Sequence, residues 1–229
     1  MTTPTTSEIS HGSKKPTIID INGFRGRLIS ADHSDYDIAR SVWNGAIDRR
    51  PRLIARCIGT ADVVAAVRFA REHDLEIAIR GGGHNVAGTA ICDDGIIVSH
   101  TGVAGLTLGG GIGWLMRKHG LTVDNLLAVD VVTADGERLR ASEDEHPDLF
   151  WALRGGGGNF GVVTAFEFRL HSVGPTVLAG PILWDATDAG EVLRFYRDFV
   201  RDAPDDLGTV VRFGTAPPLP AIPEDLHSR

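Results

Sequence analysis

The sequence predicts an α+β fold, and three observations carry that prediction. Residues 53–79 read as strand, helix, strand. Residues 126–141 read as a hairpin, with a short helix and an alternating strand after it. Much of the glycine is gathered into three dense clusters lying between and within these elements.

The elements follow in order. Residues 1–16 are polar and rich in Thr and Ser, which predicts a disordered tail, and residues 1–33 together make tail and lead-in. From Ser34 onward, Ile38, Ala39, Val42, Trp43, Ala46 and Ile47 recur at helical spacing, which predicts a helix over 35–47. Residues 53–58 read as a strand that Gly59 and Thr60 end. Thr60 is a good N-cap for a helix over 61–73, whose Val63, Val64, Val67 and Ala70 share a face. Residues 75–79 form the next strand, and a β-α-β unit favours parallel strands with a right-handed crossover.

Asp94-Gly95 is a turn, and residues 96–98 form a short strand. The segment 101–120 mixes glycine with Leu106, Leu108, Ile112, Trp114, Leu115 and Met116. It predicts a buried stretch of two short helical turns, because glycine disfavours a helix interior. Residues 126–133 and 137–141 flank Ala134-Asp135-Gly136 as a hairpin. A short helix over 146–153 follows. In 162–170, Phe166, Phe168 and Leu170 alternate with Glu167, Arg169 and His171, the period of a strand. Beyond Pro175, a strand over 176–183, a helix over 186–200 and a strand over 209–213 read as the opening of a second α+β domain. The Pro-rich stretch 217–220 leads to the end of the chain with no further element.

Composition narrows the function. The formal net charge is −7, so a nucleic-acid partner has no electrostatic support. Cys57 and Cys92 are the two cysteines, with no CxxC or Cys/His ligand spacing, so neither a disulfide framework nor a metal site is expected. No apolar h-region precedes the fold and no apolar run is long enough for a bilayer, so a cytoplasmic protein without membrane partners is the default expectation.

The glycine clusters carry the chemistry. The first, Arg80-Gly81-Gly82-Gly83-His84-Asn85 with Gly88 beyond, follows directly on a short apolar strand. Without Cβ atoms the backbone N–H groups can approach an anion such as a pyrophosphate, and His84 stands at the rim. A tight turn with a solvated histidine is the plainer reading, but it needs fewer glycines. The second cluster runs from Thr101 and Gly102 through Gly105, Gly109, Gly110 and Gly111 to Trp114; it suits either a planar ligand or close backbone packing. The third is Gly155-Gly156-Gly157-Gly158-Asn159-Phe160-Gly161-Val162-Val163-Thr164. Its GxGxxG has a helix before it and a strand after it, the reverse of a nicotinamide dinucleotide site. No GxxxxGK[ST] and no GxSxG occurs. Asp124-Asn125 reads as a loop cap, and His33, His73, His119 and His146 read as surface residues.

These three clusters, in this order, resemble the FAD-linked oxidases of the berberine-bridge-enzyme type, with a flavin-binding domain of the p-cresol methylhydroxylase or vanillyl-alcohol oxidase sort. The resemblance implies a two-subdomain FAD-binding domain over 34–174, incomplete around 95–100, and the start of a truncated substrate domain over 175–229. It implies that Gly81, Gly82, Gly83 and Asn85, with Arg80 and Gly88, surround the diphosphate, and that His84 is bonded covalently to the flavin. Thr101, Gly102, Gly105, Gly109, Gly110 and Gly111 would lie along the cofactor, and the Val163 backbone would face its adenine end. Some members attach flavin again through a cysteine near the position of Val98; Cys92 lies too far upstream, so one covalent link at most is expected.

Two departures from the family pattern stand out. Residues 96–100 run straight into the second cluster where the family has several dozen more residues, which reads as an internal deletion. The chain also stops near the middle of the family's length, so no catalytic base is assigned. The function expected is an FAD-dependent oxidoreductase that takes a hydride from an alcohol or amine C–H and passes electrons to oxygen. The alternative is a non-catalytic remnant or interaction module that holds flavin weakly or not at all. Substrate and oligomeric state stay open.

Overall fold

The computed structural model describes residues 20–99 and 104–215. The expected tail over 1–16, Thr101, Gly102 and the stretch after residue 216 lie outside the described residues. In chain order the elements are β1 (Arg27–Ser30), α1 (Tyr36–Arg40), β2 (Leu53–Arg56), α2 (Thr60–Glu72), β3 (Ile77–Arg80), β4 (Ile96–Ser99), α3 (Ala104–Leu108), α4 (Met116–His119), β5 (Leu126–Val132), β6 (Arg138–Ser142), α5 (Pro147–Leu153), β7 (Val162–Phe168) and α6 (Ala189–Asp202). Single 3-10 turns occupy Thr122–Asn125 and Ala186–Asp188. The chain divides into two compact units: residues up to 109 with 127–167, and residues 110–126 with those from 168 onward.

The first unit holds two sheets. One has the order β1-β2-β4-β3. β1 is antiparallel to β2, while β2 and β3 both run parallel to β4, so that Leu53 and Ile77 face Ile96 from either side. Strand alternation sorts its side chains onto two faces. Leu53, Ala55, Ile96 and Val98 pack with Val63, Ala66, Val67 and Ala70 of α2. Ile54, Ala78 and Ile97 pack with Tyr36 and Ala39 of α1 and with Ile91. The other sheet has the order β6-β5-β7, with Val129 facing Ala141 across the hairpin.

The N-terminus of α2 is held from within. Gly59 is its N-cap, so Thr60 is the first helical residue rather than the cap. Asp62 is fully buried, and its carboxylate accepts the backbone N–H groups of Arg25 and Ile58, both at 2.9 Å.

In the second unit, Arg117 of α4 donates to the carbonyls of Val200, at 2.9 Å, and Ala203, at 2.5 Å, and Lys118 pairs with Asp206. Asp124 accepts the Leu121 N–H at 2.8 Å, while the Asn125 side-chain amide donates to the carbonyls of His119 and Leu121, both at 2.9 Å. The loop-cap reading of Asp124-Asn125 therefore holds.

Three expectations are corrected. The helix expected over 35–47 stops at Arg40, and Ser41 is extended. The next residues are drawn instead to the first glycine cluster. The expected strands over 176–183 and 209–213 are irregular, with Leu178, Ile182 and Phe213 exposed. Alternation favours an extended chain, but a strand also needs a ladder partner, and among the described residues these segments have none. The segment 104–120 does form two short helices, α3 and α4, but it is buried only in part: Thr107 and Leu108 are buried, while Ile112 is 74% exposed and Trp114 69%. Helices of four and five residues between glycines cannot lay a continuous apolar face on a sheet.

Candidate functional site

β3 ends at Arg80 and the glycine triplet begins at once. Gly83 has φ +72°, a conformation that side chains resist, and its carbonyl accepts the Trp43 N–H at 3.0 Å. A Cβ at Gly82 would stand 2.9 Å from Cδ2 of His84, so the absent side chain is what lets the imidazole lie where it does. His84 is exposed, and its ring nitrogens make no hydrogen bond among the described residues. The Trp43 indole lies against it, with ring centroids 5.4 Å apart. Residues 41–44 clamp the loop at two further points. Arg80 Nη1 donates to the Ser41 carbonyl at 3.2 Å, and Asn44 Nδ2 donates to the Val86 carbonyl at 2.9 Å.

Asn85 faces its own loop, its side-chain oxygen accepting the Thr89 N–H at 3.0 Å. Gly88 is buried beneath Ile47, whose Cδ1 would lie 2.9 Å from a Cβ there. These two residues shape the loop from within.

The second and third clusters are joined. The carbonyl of Leu108, at the end of α3, accepts the N–H groups of Gly155 and Gly157, each at 3.0 Å. Gly105 has open space where a side chain would be, and Gly109 follows α3 directly. Thr107 is fully buried, and its hydroxyl has no hydrogen-bond partner among the described residues. Gly110 and Gly111 belong to the second unit, where their carbonyls accept the N–H groups of Val123 at 3.0 Å and Thr122 at 2.9 Å. Val163 is buried on β7.

Parallel pairing gives the first two clusters a common origin. β3 and β4 run the same way, and Arg80 and Ser99 end them side by side. The glycine triplet and the second cluster therefore leave from one edge of the sheet, the carboxyl edge, where open parallel sheets bind ligands. Sequence reasoning missed the clamp of Ser41, Trp43 and Asn44, because a regular apolar period covered it. It also missed Arg56, which faces Ser99 from β2; an arginine closing an apolar strand was the signal.

The cysteines are chemically quiet. Burial, followed by the Asp62 charge, pushes the Cys57 thiol up to about 12. Burial, followed by the Glu76 charge, pushes Cys92 up to about 11. A surface depression of about 390 Å³ lined by Arg68, Arg71, Glu72 and Asp135 is formed by α2 and the hairpin turn, not by any glycine cluster.

Residues 51–102 and 98–142 match the FAD binding domain family. The chain is 36% identical over 204 residues to (R)-6-hydroxynicotine oxidase of Paenarthrobacter nicotinovorans, a match that takes up 70% of this chain and 44% of that protein. Residues 51–142 are an FAD-binding domain, and the chain is similar to the FAD-linked oxidoreductases. Among solved structures, 6-hydroxy-D-nicotine oxidase from Arthrobacter nicotinovorans superimposes with a TM-score of 0.75 at 34% identity, covering 80% of this chain and 50% of that one. Glucooligosaccharide oxidase from Acremonium strictum, which carries a 6-S-cysteinyl, 8α-N1-histidyl FAD, superimposes with a TM-score of 0.57 at 29% identity, over 63% of this chain and 40% of that one. The fold is thus the two-subdomain FAD-binding fold of the p-cresol methylhydroxylase and vanillyl-alcohol oxidase type, and the family's cofactor is FAD.

The chain spans about half the length of the relatives it matches. The family match comes in two pieces that meet at residues 98–102. The 204 aligned positions also exceed what this chain supplies, since 70% of 229 residues is about 160.

The residues present fit an FAD. The first cluster offers an exposed imidazole, whose nitrogens make no hydrogen bond among the described residues, beside glycine backbone without Cβ atoms. The second holds a buried hydroxyl that awaits an acceptor. Leaving such a group unpaired costs about 1–3 kcal/mol, which a bound acceptor would relieve.

Proposed function

We propose that this protein is an FAD-dependent oxidase, its cofactor held by residues 80–85 and 88 and by the segment from Thr101 to Gly111. The observation that carries the reading is the exposed His84 imidazole, held by the Gly82–Gly83 turn against Trp43. Bound FAD supplies the redox chemistry: hydride acceptance from a C–H beside an alcohol or amine, with the electrons passing on to oxygen. The chain's own residues bind and orient. Gly81, Gly82 and Gly83 present backbone N–H groups toward the diphosphate. His84 forms one covalent bond to the flavin. Gly105, Gly109, Gly110 and Gly111 give the ring system a surface without side chains, and Val163 meets the adenine end through its backbone. Half-buried Cys57 and buried Cys92, whose thiols burial raises, are poor nucleophiles for a second attachment.

The substrate is a small molecule. No helix among the described residues is long and apolar enough to cross a membrane.

The experiment is flavin content followed by oxygen uptake. Protein purified yellow that consumes oxygen with an amine or an alcohol supports the oxidase reading. The two-piece family match favours one specific alternative, a protein that keeps its flavin without turning over. Yellow protein with no uptake across a panel of alcohols and amines selects that alternative. Colourless protein that FAD does not reconstitute overturns both.

A further inference from the structure

The C-terminal ends of three strands place one row of residues on one face. Arg56 of β2 faces Ser99 of β4, and Ser99 faces Arg80 of β3. Two residues earlier the same row is Ile54, Ile97 and Ala78, all buried in the core against α1. An apolar face therefore ends in an Arg-Ser-Arg row at the carboxyl edge.

Among the described residues, Arg56 and Arg80 of this row have no counter-charge. Arg27, opposite Arg56 on β1, is paired with Asp35 at 2.6 Å. Arg56 and Arg80 make no ion pair among the described residues. Arg80 spends one N–H on the neutral Ser41 carbonyl. Its surroundings are costly for a cation: burial, followed by the Arg56 charge, lowers its guanidinium from the ordinary value. Two guanidiniums facing a common space without a carboxylate repel each other, and an anion between them reverses the sign of that interaction. Strands sit about 4.8 Å apart, so β2 and β3, with β4 between them, lie about 10 Å apart. Long arginine side chains span that gap onto a diphosphate, whose oxygens match their forked donors.

We propose that Arg56 is a diphosphate-binding residue, acting with Arg80 across Ser99 to hold the phosphates of a dinucleotide at the carboxyl edge of the sheet. The proposal rests on the FAD reading for the identity of the dinucleotide, and on the sheet register alone for the anion site.

Calorimetric titration tests it, in full-length protein carrying His84→Ala so that flavin exchanges freely. FAD, ADP, pyrophosphate and riboflavin are titrated separately, riboflavin being the flavin without phosphate. Removing a charged hydrogen-bond donor should weaken FAD, ADP and pyrophosphate by about tenfold to a hundredfold in Arg56→Ala, and leave riboflavin within about twofold. Arg56→Lys keeps the charge and should fall between the two, and Arg27→Ala, whose charge already has a partner, should bind as the parent does. Unchanged FAD and pyrophosphate affinity in both Arg56 variants would overturn the proposal, as would an equal loss of riboflavin. Pyrophosphate binding that depends on Arg56, without any FAD binding, would uphold the anion site and remove the cofactor reading. A parent protein that binds neither would remove both.

Discussion

The indole of Trp43 lies 5.4 Å, centroid to centroid, from the imidazole of His84, with the planes inclined by 39°. The Trp43 N–H also donates to the carbonyl of Gly83, so one residue holds both the histidine ring and the backbone that carries it. The two are 41 positions apart in sequence, and only the fold brings them together.

Trp43→Ala should leave the protein folded, because the indole is largely exposed. An aromatic pair contributes about 0.5–1.5 kcal/mol, so His84 should lose its preferred position by a factor of about two to ten. The fraction of flavin that stays with acid-precipitated protein should fall accordingly, while total flavin bound before precipitation changes little. Both follow from absorbance before and after precipitation.

Gly82→Ala should affect the same readout more strongly. The new methyl would meet the imidazole at 2.9 Å, so the ring must rotate away. Covalent flavin should be nearly abolished with thermal stability lowered only slightly. Retention of covalent flavin at the parental level would show that the ring position is not what matters.

Asp62 is a stability residue that titrates. Burial alone would raise its carboxyl, but the Arg25 and Ile58 N–H groups and the Arg25 charge outweigh burial and hold it below the ordinary carboxylate value. A carboxyl depressed on folding stabilises fully above the unfolded value of about 3.9, and that stabilisation is lost as pH falls through the lower native value. Stability should therefore drop as pH falls below about 4. In Asp62→Asn stability at neutral pH should be lower by about 1–3 kcal/mol, the gap narrowing as pH falls below about 4. Denaturant melts across pH check both.

Cys57 and Cys92 should resist alkylation in the native protein. Thiols raised to about 12 and about 11 hold almost no thiolate at neutral pH. Iodoacetamide should label neither within the time that labels both in denaturant, as read by intact mass. Rapid native labelling of either would show that the unit around α2 opens readily.

What the sequence disclosed was what short-range pattern can carry. The strand–helix–strand from Leu53 to Arg80 and the hairpin around Gly136 follow from periodicity and turn chemistry, and both are present. The glycine triplet was legible because Gly83 takes a φ that side chains resist and a Cβ at Gly82 would meet the His84 ring. The clamp at residues 41–44 was not, since its partners are Arg80, Gly83 and Val86, some forty positions away, and its apolar period mimics a helix. Arg56 was hidden for a similar reason: its meaning depends on strand order, and β4 inserts between β2 and β3. Residues 176–183 show the converse case, where an extended pattern has no neighbour to pair with among the described residues.

The most direct test is the mass of the proteolytic peptide that contains His84, from protein made with riboflavin supplied. The account predicts that this peptide carries one FAD and absorbs as a flavin, and that the same peptide from His84→Ala carries none. An unmodified His84 peptide from yellow protein, or flavin attached to any other residue, would contradict it.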